Sequence, residues 1–398
     1  MNTKVKAEFD IVTPMFLGDA NHEAQPLMRA ASVKGALRFW WRALNWSDAL
    51  AIAKGNEVDA LKQLHCKEGR LFGAATRKDG KVSLGGQGVF LLKVDSKKLD
   101  IIGKPFEKVN EGVLYLLGMG LGTFKDGGSV TRQKNIKSGA FSVSLMFKPG
   151  TPEADIASVS DALWAFGLLG ALGARARHGM GSVCLTCWEG DSREVPASRA
   201  CYKAALAALF SQVKADSPSL PPFTALSAQT RVDISTSSTQ SAEGLLRTIG
   251  NEQMRYRSFG QGGEVLKQPA ERNFADDHDL IFHAINGKEP KLAAKRSVFG
   301  LPHNYYFSSI KRSAEINYMV GNNKSRRSSP LFLHIHRLGD EFVGVHTLMP
   351  AQFLPDNAKV LIDVVKSDLE FKVQIQPDWS VIHKYLDRFA EREVVYGQ

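Results

Sequence analysis

A glycine-rich run studded with cations, LLGALGARARHGMGSV from Leu168 to Val183, carries the residues best suited to chemistry in this sequence. Arg175 and Arg177 can neutralise phosphate, His178 can move a proton, and Gly173, Gly179 and Gly181 let a ligand approach the backbone closely. A mononucleotide is the wrong ligand. P-loops and dinucleotide folds place their glycines after a strand and before a helix, so that helix amides face the anion. Here a helix pattern ends at Leu169 and a strand pattern begins at Ser182, with neither a GKS/GKT ending nor a GxGxxG followed by an acid. What remains is a turn able to lay amides, Arg175, Arg177 and His178 along an extended phosphate backbone. The plainer reading is a helix-to-strand connection whose glycines serve only the turn.

Two other basic segments fit the same chemistry. In RAASVKGALRFWWRAL, Arg29 to Leu44, the cations Lys34, Arg38 and Arg42 recur every four residues and form one stripe on a helix, with Val33, Leu37, Trp40 or Trp41 and Leu44 on the other side. Such a ladder matches the phosphate spacing of an extended single strand. One of Phe39, Trp40 and Trp41 can serve as a stacking platform, while the consecutive placement sends at least two of them to the core. KSRRSS, Lys324 to Ser329, with Arg326 and Arg327, reads as a solvated loop or an RNA contact.

Cleavage chemistry has fewer supports. Metal-independent RNA cleavage needs a base for the 2′-hydroxyl, an acid for the leaving oxygen and a cation for the developing charge. His22, His178 and His278 are the candidate histidines, and His178 beside Arg175 and Arg177 supplies part of that set without an evident partner base. ADDHDLIFH, Ala275 to His283, gathers carboxylates and histidines, but Asp276 and Asp277 suit the first turn of a helix and nothing like HExxH accompanies them. Cys184 and Cys187 form a lone CxxC in a strand pattern, where a spacing of three puts them on opposite faces, and buried free thiols are the expectation. No metal site and no cofactor is expected.

These segments need elements to position them. Strand patterns cover Phe9–Leu17, Leu84–Val94, Ala140–Lys148 and Ser182–Trp188, and helix patterns cover Ser32 to Leu50, with Ser32 as N-cap, and Pro152 to Leu169. The order is βαββαβ, a ferredoxin-like (RRM-like) unit with an irregular insertion near residues 103 to 138. A helix from Ala197 to Val213 and the linker-like SPSLPPF, Ser217 to Phe223, follow. Beyond them come a strand (Thr224–Ser235), a helix (Ser238–Arg257), a hairpin (Leu331–Arg337 and Glu341–Leu348) and a C-terminal helix near Trp379–Phe389. The expected architecture is α+β: two ferredoxin-like domains in tandem with insertions, 1–215 and 216–398.

Composition narrows the partners. Lysine and arginine number 51 against 41 aspartates and glutamates, a net charge of +10 that attracts polyanions. With 43% hydrophobic residues there is ample material for a core, and at 398 residues length favours two domains. No apolar run is long enough for a bilayer, MNTKVKAEFD has no signal-peptide core, and the four cysteines are few and irregular, so a cytoplasmic protein without membrane contact is expected.

FDIVTPMFLGDA followed by ASVKGALRFWWRAL, with LFG at Leu71–Gly73 and the loop GALGARARHGMGSV, resembles the repeat-associated mysterious protein (RAMP) superfamily. More narrowly, these motifs with NFADDHDL, SVFGLPHNYYF and RRSSPLFLHI resemble the first subunit of the Cmr complex, the type III-B CRISPR effector. The resemblance covers most of the chain, and the TPMFLG and SVKGALRFWWR pair carries its specificity. Ala30 and Ala31, where relatives often have prolines, depart from it at one turn.

The resemblance implies two ferredoxin-like domains and membership of an antiviral complex built on a guide RNA. It also implies a place near the guide's 3′ region where target RNA is engaged, no catalytic role, and neighbouring Cmr-type subunits as partners. By matching motif, Lys34, Arg38, Arg42, Gly173, Arg175, Arg177, Gly179 and Gly181 are its RNA-contacting positions. Other members of the superfamily cut RNA, which keeps an endoribonuclease using His178 as the alternative, and a scaffold with little RNA contact as the third.

Overall fold

The computed structural model describes residues 3–18, 26–79, 82–102, 105–106, 109–118, 120–123, 128–130, 134–213, 219–235 and 241–397. Its first part runs β1 (Lys4–Ile11), α1 (Ala30–Ile52), α2 (Glu57–Phe72), the hairpin β2 (Ala74–Asp79) and β3 (Val82–Gly86), β4 (Phe90–Ile102), and α3 (Glu111–Leu117). The short pair β5 (Gly122–Thr123) and β6 (Ser129–Val130), then β7 (Asn135–Phe147), α4 (Glu153–Leu169), β8 (Val183–Glu189) and α5 (Arg199–Ser211) complete it. One sheet of order β4-β7-β1-β8, antiparallel throughout, organises these elements. Alternation along β1 sends Val5, Ala7, Phe9 and Ile11 inward, where Phe9 stacks on Phe141 of β7 at 5.1 Å and meets Phe166 of α4 edge-on at 5.4 Å.

The second part runs β9 (Arg231–Ser235), α6 (Ala242–Arg257), β10 (Glu264–Val265), β11 (Gln268–Pro269), α7 (Ala275–Ile285), a 3-10 turn (Lys295–Phe299), β12 (His303–Phe307), β13 (Arg312–Val320) and β14 (Asn323–Ser325). It continues with β15 (Leu331–Leu338), β16 (Glu341–Leu348), β17 (Lys359–Val364), β18 (Glu370–Val373), α8 (Ser380–Leu386) and β19 (Arg392–Tyr396). A second antiparallel sheet has the order β15-β16-β9-β19, and a third, β12-β13-β17-β18 with β14 beside β13, is built from two insertions on either side of the β15–β16 hairpin.

The two main sheets are not separate bodies. A single apolar cluster runs from Phe9, Trp41 and Phe166 through Tyr202 and Phe210 to Val232, Ile234, Val343 and Val345. The 219–223 part of the linker-like stretch is packed as well, with Phe223 edge-on to Trp46 and Leu226 N donating to Ala43 O. At the centre of the second sheet Arg231 and Asp233 form a buried, multiply hydrogen-bonded pair on one face of β9, and Asp387 extends it beyond α8.

Several boundaries differ from the sequence expectation. β1 ends at Ile11, and only isolated bridges, Met15 to Ile136 and Phe16 to Ala174, continue it toward Leu17. α1 starts at Ala30 with Arg29 in the cap position, so Ser32 lies inside the first turn and is not the N-cap. The Leu84–Val94 pattern splits, because Gly85 and Gly86 take positive φ and end the small hairpin before β4 begins at Phe90. Cys184 and Cys187 pair with Asp10 and Glu8, two residues apart on β1, so a bulge puts both cysteines on one face rather than opposite faces. The third sheet was not expected at all.

Candidate nucleic-acid interface

The glycine-rich loop lies at the seam between the two main sheets. Arg177 O accepts from Leu333 N at 3.0 Å, His178 bridges to Leu333 in parallel, and Ile335 N donates to Ser182 Oγ, so the loop covers the open edge of β15. Its glycines are placed against the chain itself. Gly173, exposed at φ +91°, sits where a Cβ would lie 2.7 Å from Phe16 O. Gly181 has φ +65°, and a Cβ there would lie 2.0 Å from Leu172 O. Gly179 is buried against Leu246 and Leu333, and its carbonyl accepts from Thr13 Oγ1 at 2.7 Å. The close approaches these glycines permit are thus those of strand ends and leucines.

The arginines are distributed over two depths. Arg177 donates to Ser329 O and lies over the rings of Phe332, at 4.3 Å, and Phe39, at 5.6 Å; burial and the nearby Arg327 push its guanidinium down to about 10, still charged at neutral pH. Arg175 is half-buried at φ +61°, with its guanidinium against Gly118. Its pKa is lowered by burial and by Arg257 and Arg326. Arg326 is exposed, whereas Arg327 is half-buried over Phe353 and donates to Gln352 O. The fold therefore brings together the glycine-rich loop and KSRRSS, two basic segments about 150 residues apart in sequence.

The α1 stripe is placed differently. Lys34 is half-buried and lowered by burial and by Arg38; Arg38 donates to Gly73 O; and both Arg38 and Arg42 face Glu68 of α2, Arg42 Nη1 lying 2.8 Å from its Oε1. Period four was legible in sequence, but the carboxylate that occupies two of the three cations was not. Trp40 and Trp41 are core residues, as two of the aromatic trio had to be, and Phe39 is the ring that reaches the seam. Glu68→Gln is expected to lower stability by about 1 to 2 kcal/mol, discounted for the one-third exposure of both arginines, while RNA affinity holds or rises as the arginines are released. Urea denaturation and RNA titration check the two halves, and an unchanged urea midpoint contradicts the ion pair.

His178 is poorly suited to acid–base work. Its ring lies beside a small hollow lined by Leu116, Gln253, Leu331, Leu333 and Tyr385, and burial with Arg175, Arg257 and Arg177 pushes its pKa down to about 3. A general acid needs a proton to give near neutral pH, and this ring carries none to spare. His278 stacks on Phe259 at 3.6 Å and pairs with Asp279, and His22 lies outside the described residues. In the acidic cluster, Asp277 is buried and accepts from Lys295 N and Arg296 N at 2.8 and 2.7 Å, a capping role for the 3-10 turn. Among the described residues no group of three or more His, Cys, Asp and Glu is arranged to hold a metal ion. None of the described helices is long and apolar enough to cross a membrane.

Sequence reasoning missed Arg257, which lies near the loop cations, and Arg296 and His303, which bond to it; they come from the end of α6, the 3-10 turn and β12. They stand 39 and 7 residues apart in sequence and on three different elements, which left no stripe to find.

Residues 8–184 match the family model of the RAMP superfamily. Across its length the fold is that of the crystal structure of apo Cmr1 from Pyrococcus furiosus, with 19% identity, 99% of each chain covered and a TM-score of 0.53. Chains in two cryo-EM structures of the type III-B Cmr-beta complex bound to cognate target RNA are also similar, at 10% and 9% identity, with TM-scores of 0.49 over 98% of this chain and 99% of those. No curated protein matches the sequence.

Proposed function

We propose that this protein is a non-catalytic RNA-binding subunit of a type III-B CRISPR effector, holding guide or target RNA by contacts to the sugar-phosphate backbone. The observation that carries the reading is the convergence of Arg175, Arg177, Arg326 and Arg327 on one seam, in a chain of net charge +10. Arg326 is the exposed member that meets phosphate first, and half-buried Arg175, Arg177 and Arg327 lie behind it. Lys34, Arg38 and Arg42 form a second contact on α1, partly held by Glu68. The likeness to Cmr1, together with the RAMP match, supports other Cmr-type subunits and RNA as partners.

Both main sheets are read as ferredoxin-like units, 1–215 and 216–398, each with a first strand flanked by its third and fourth. The two units grip the seam from either side. The test is a titration of the full chain against labelled single-stranded RNA with EDTA present, each sample examined for retarded complex and for shortened product. Retarded, intact RNA is expected. Shortened product that co-purifies with the protein and survives EDTA would overturn the non-catalytic reading, and absence of complex would leave the scaffold reading.

A further inference from the structure

We infer that Arg257, Arg296 and His303 form a phosphate seat in the C-terminal unit, one that takes a single phosphate group of the RNA; this rests on the RNA-binding reading above. Arg257 closes α6, and its Nη2 lies 3.1 Å from His303 Nε2. A guanidinium only donates, so Nε2 accepts and the imidazole proton sits on Nδ1. Arg296 Nη1 donates to Arg257 O at 2.9 Å, which fixes the second guanidinium beside the first. The rings of Phe299, at 4.4 Å from Arg257, and Tyr305, at 4.5 Å from Arg296, hold both planes.

Four atoms of this cluster are buried without a hydrogen-bond partner among the described residues: Arg257 Nε, Arg296 Nε, His303 Nδ1 and Tyr305 Oη. The first three are donors, and the hydroxyl can donate or accept. Buried polar groups in folded proteins are paired almost without exception, and a cluster with donors to spare is satisfied by an acceptor that brings several lone pairs. Among the described residues no carboxylate pairs with Arg257 or Arg296, and the neighbouring Asp277 is spent on the amides of Lys295 and Arg296. Two guanidiniums that repel each other, with only the amide-bonded Asp277 as a nearby negative charge among the described residues, favour an anion, and phosphate suits the forked geometry.

The seat is continuous with the seam, because Arg175 is influenced by Arg257 on one side and by exposed Arg326 on the other. That continuity favours a phosphate in a chain of phosphates over an acidic side chain from a partner protein. The source is either an internal phosphodiester or a terminal phosphate, and the test separates them.

The test uses the full chain and fluorescence anisotropy with single-stranded RNA, with and without a 3′-terminal phosphate, across a salt series. Arg257→Gln/Arg296→Gln is expected to bind about tenfold more weakly, with its salt slope reduced by about 0.7 for each phosphate no longer neutralised. Arg257→Lys should recover part of the slope but little of the forked hydrogen bonding. Equal weakening on both RNAs assigns an internal phosphodiester, and weakening confined to the phosphorylated RNA assigns the terminal group. If the double variant does not fold, arginine modification of the wild-type protein by phenylglyoxal replaces it, with Arg257 and Arg296 expected to be protected by RNA. Wild-type affinity and slope in a folded double variant, unprotected arginines in the RNA complex, or protection by poly-glutamate in place of RNA would each overturn the seat. Failure of the wider RNA-binding reading looks different: the wild-type chain itself then binds no RNA.

Discussion

Lowering the pH from 7 to 5 is expected to remove at least about 4 kcal/mol of folding stability, because His334 and His346 are buried as neutral rings and His178, also pushed down to about 3, adds to the loss. His334 and His346 both lie in the β15–β16 hairpin, and burial pushes each pKa from 6.5 down to about 3. The unfolded chain takes up protons near 6.5 and the folded chain does not, so stability is complete above about 6.5 and is lost progressively as the pH falls toward 3. At pH 5 each ring contributes a loss of about 2 kcal/mol, from one and a half pH steps at about 1.4 kcal/mol each. His336, also lowered by burial, hydrogen-bonds His334 across 3.1 Å and stacks on Tyr202 at 4.0 Å, and it acts in the same direction. Urea midpoints at pH 7 and pH 5 measure the effect, and His346→Gln should flatten the difference by roughly half of the two-ring loss. A wild-type midpoint that does not move between these pH values contradicts the neutral, buried histidines.

Gly181→Ala is expected to cost roughly 2 to 4 kcal/mol, although only one methyl group is added. The backbone at φ +65° disfavours a side chain, and the new Cβ would lie 2.0 Å from the Leu172 carbonyl. That carbonyl cannot simply retreat, since Leu172 N donates to Gly181 O and Gly181 N donates to Pro14 O. Gly150→Ala is the control: φ is +75° there, but nothing lies within 4 Å of the added Cβ, so about 1 kcal/mol is expected. Equal costs at the two positions would show that conformation alone matters and that the loop is not pinned between Pro14 and Leu172.

The same loop shows what was legible in the sequence. Its position, after a helix and before a strand, excludes a mononucleotide site and is read directly from the apolar pattern. That its glycines admit Phe16, Leu172, Leu246 and Leu333 is a matter of partners 9 to 157 residues away, which no local spacing encodes. Elements with strong periodicity were readable, including α4 with its buried Val159, Leu163 and Phe166 and the β15–β16 hairpin. The third sheet was not, because its strands sit in two insertions and its central pairing joins Ala314–Met319 to Lys359–Val364 across the hairpin. On α1 the cation stripe was visible while Glu68 on the neighbouring helix was not, so the stripe looked freer than it is. Arg257, Arg296 and His303 were invisible for the same reason: the fold, not their spacing, makes them neighbours.

The central claim, that the arginine seam holds RNA by its phosphates, is tested most directly by the salt dependence of binding. Single-stranded RNA would be titrated into the full chain across a salt series, comparing the wild type with Arg175→Gln/Arg326→Gln. The account predicts a steep fall in affinity with salt for the wild type and a slope shallower by about 1.4 in the variant, two phosphates at about 0.7 each. Binding that ignores salt, or a folded variant with the wild-type slope, would contradict it.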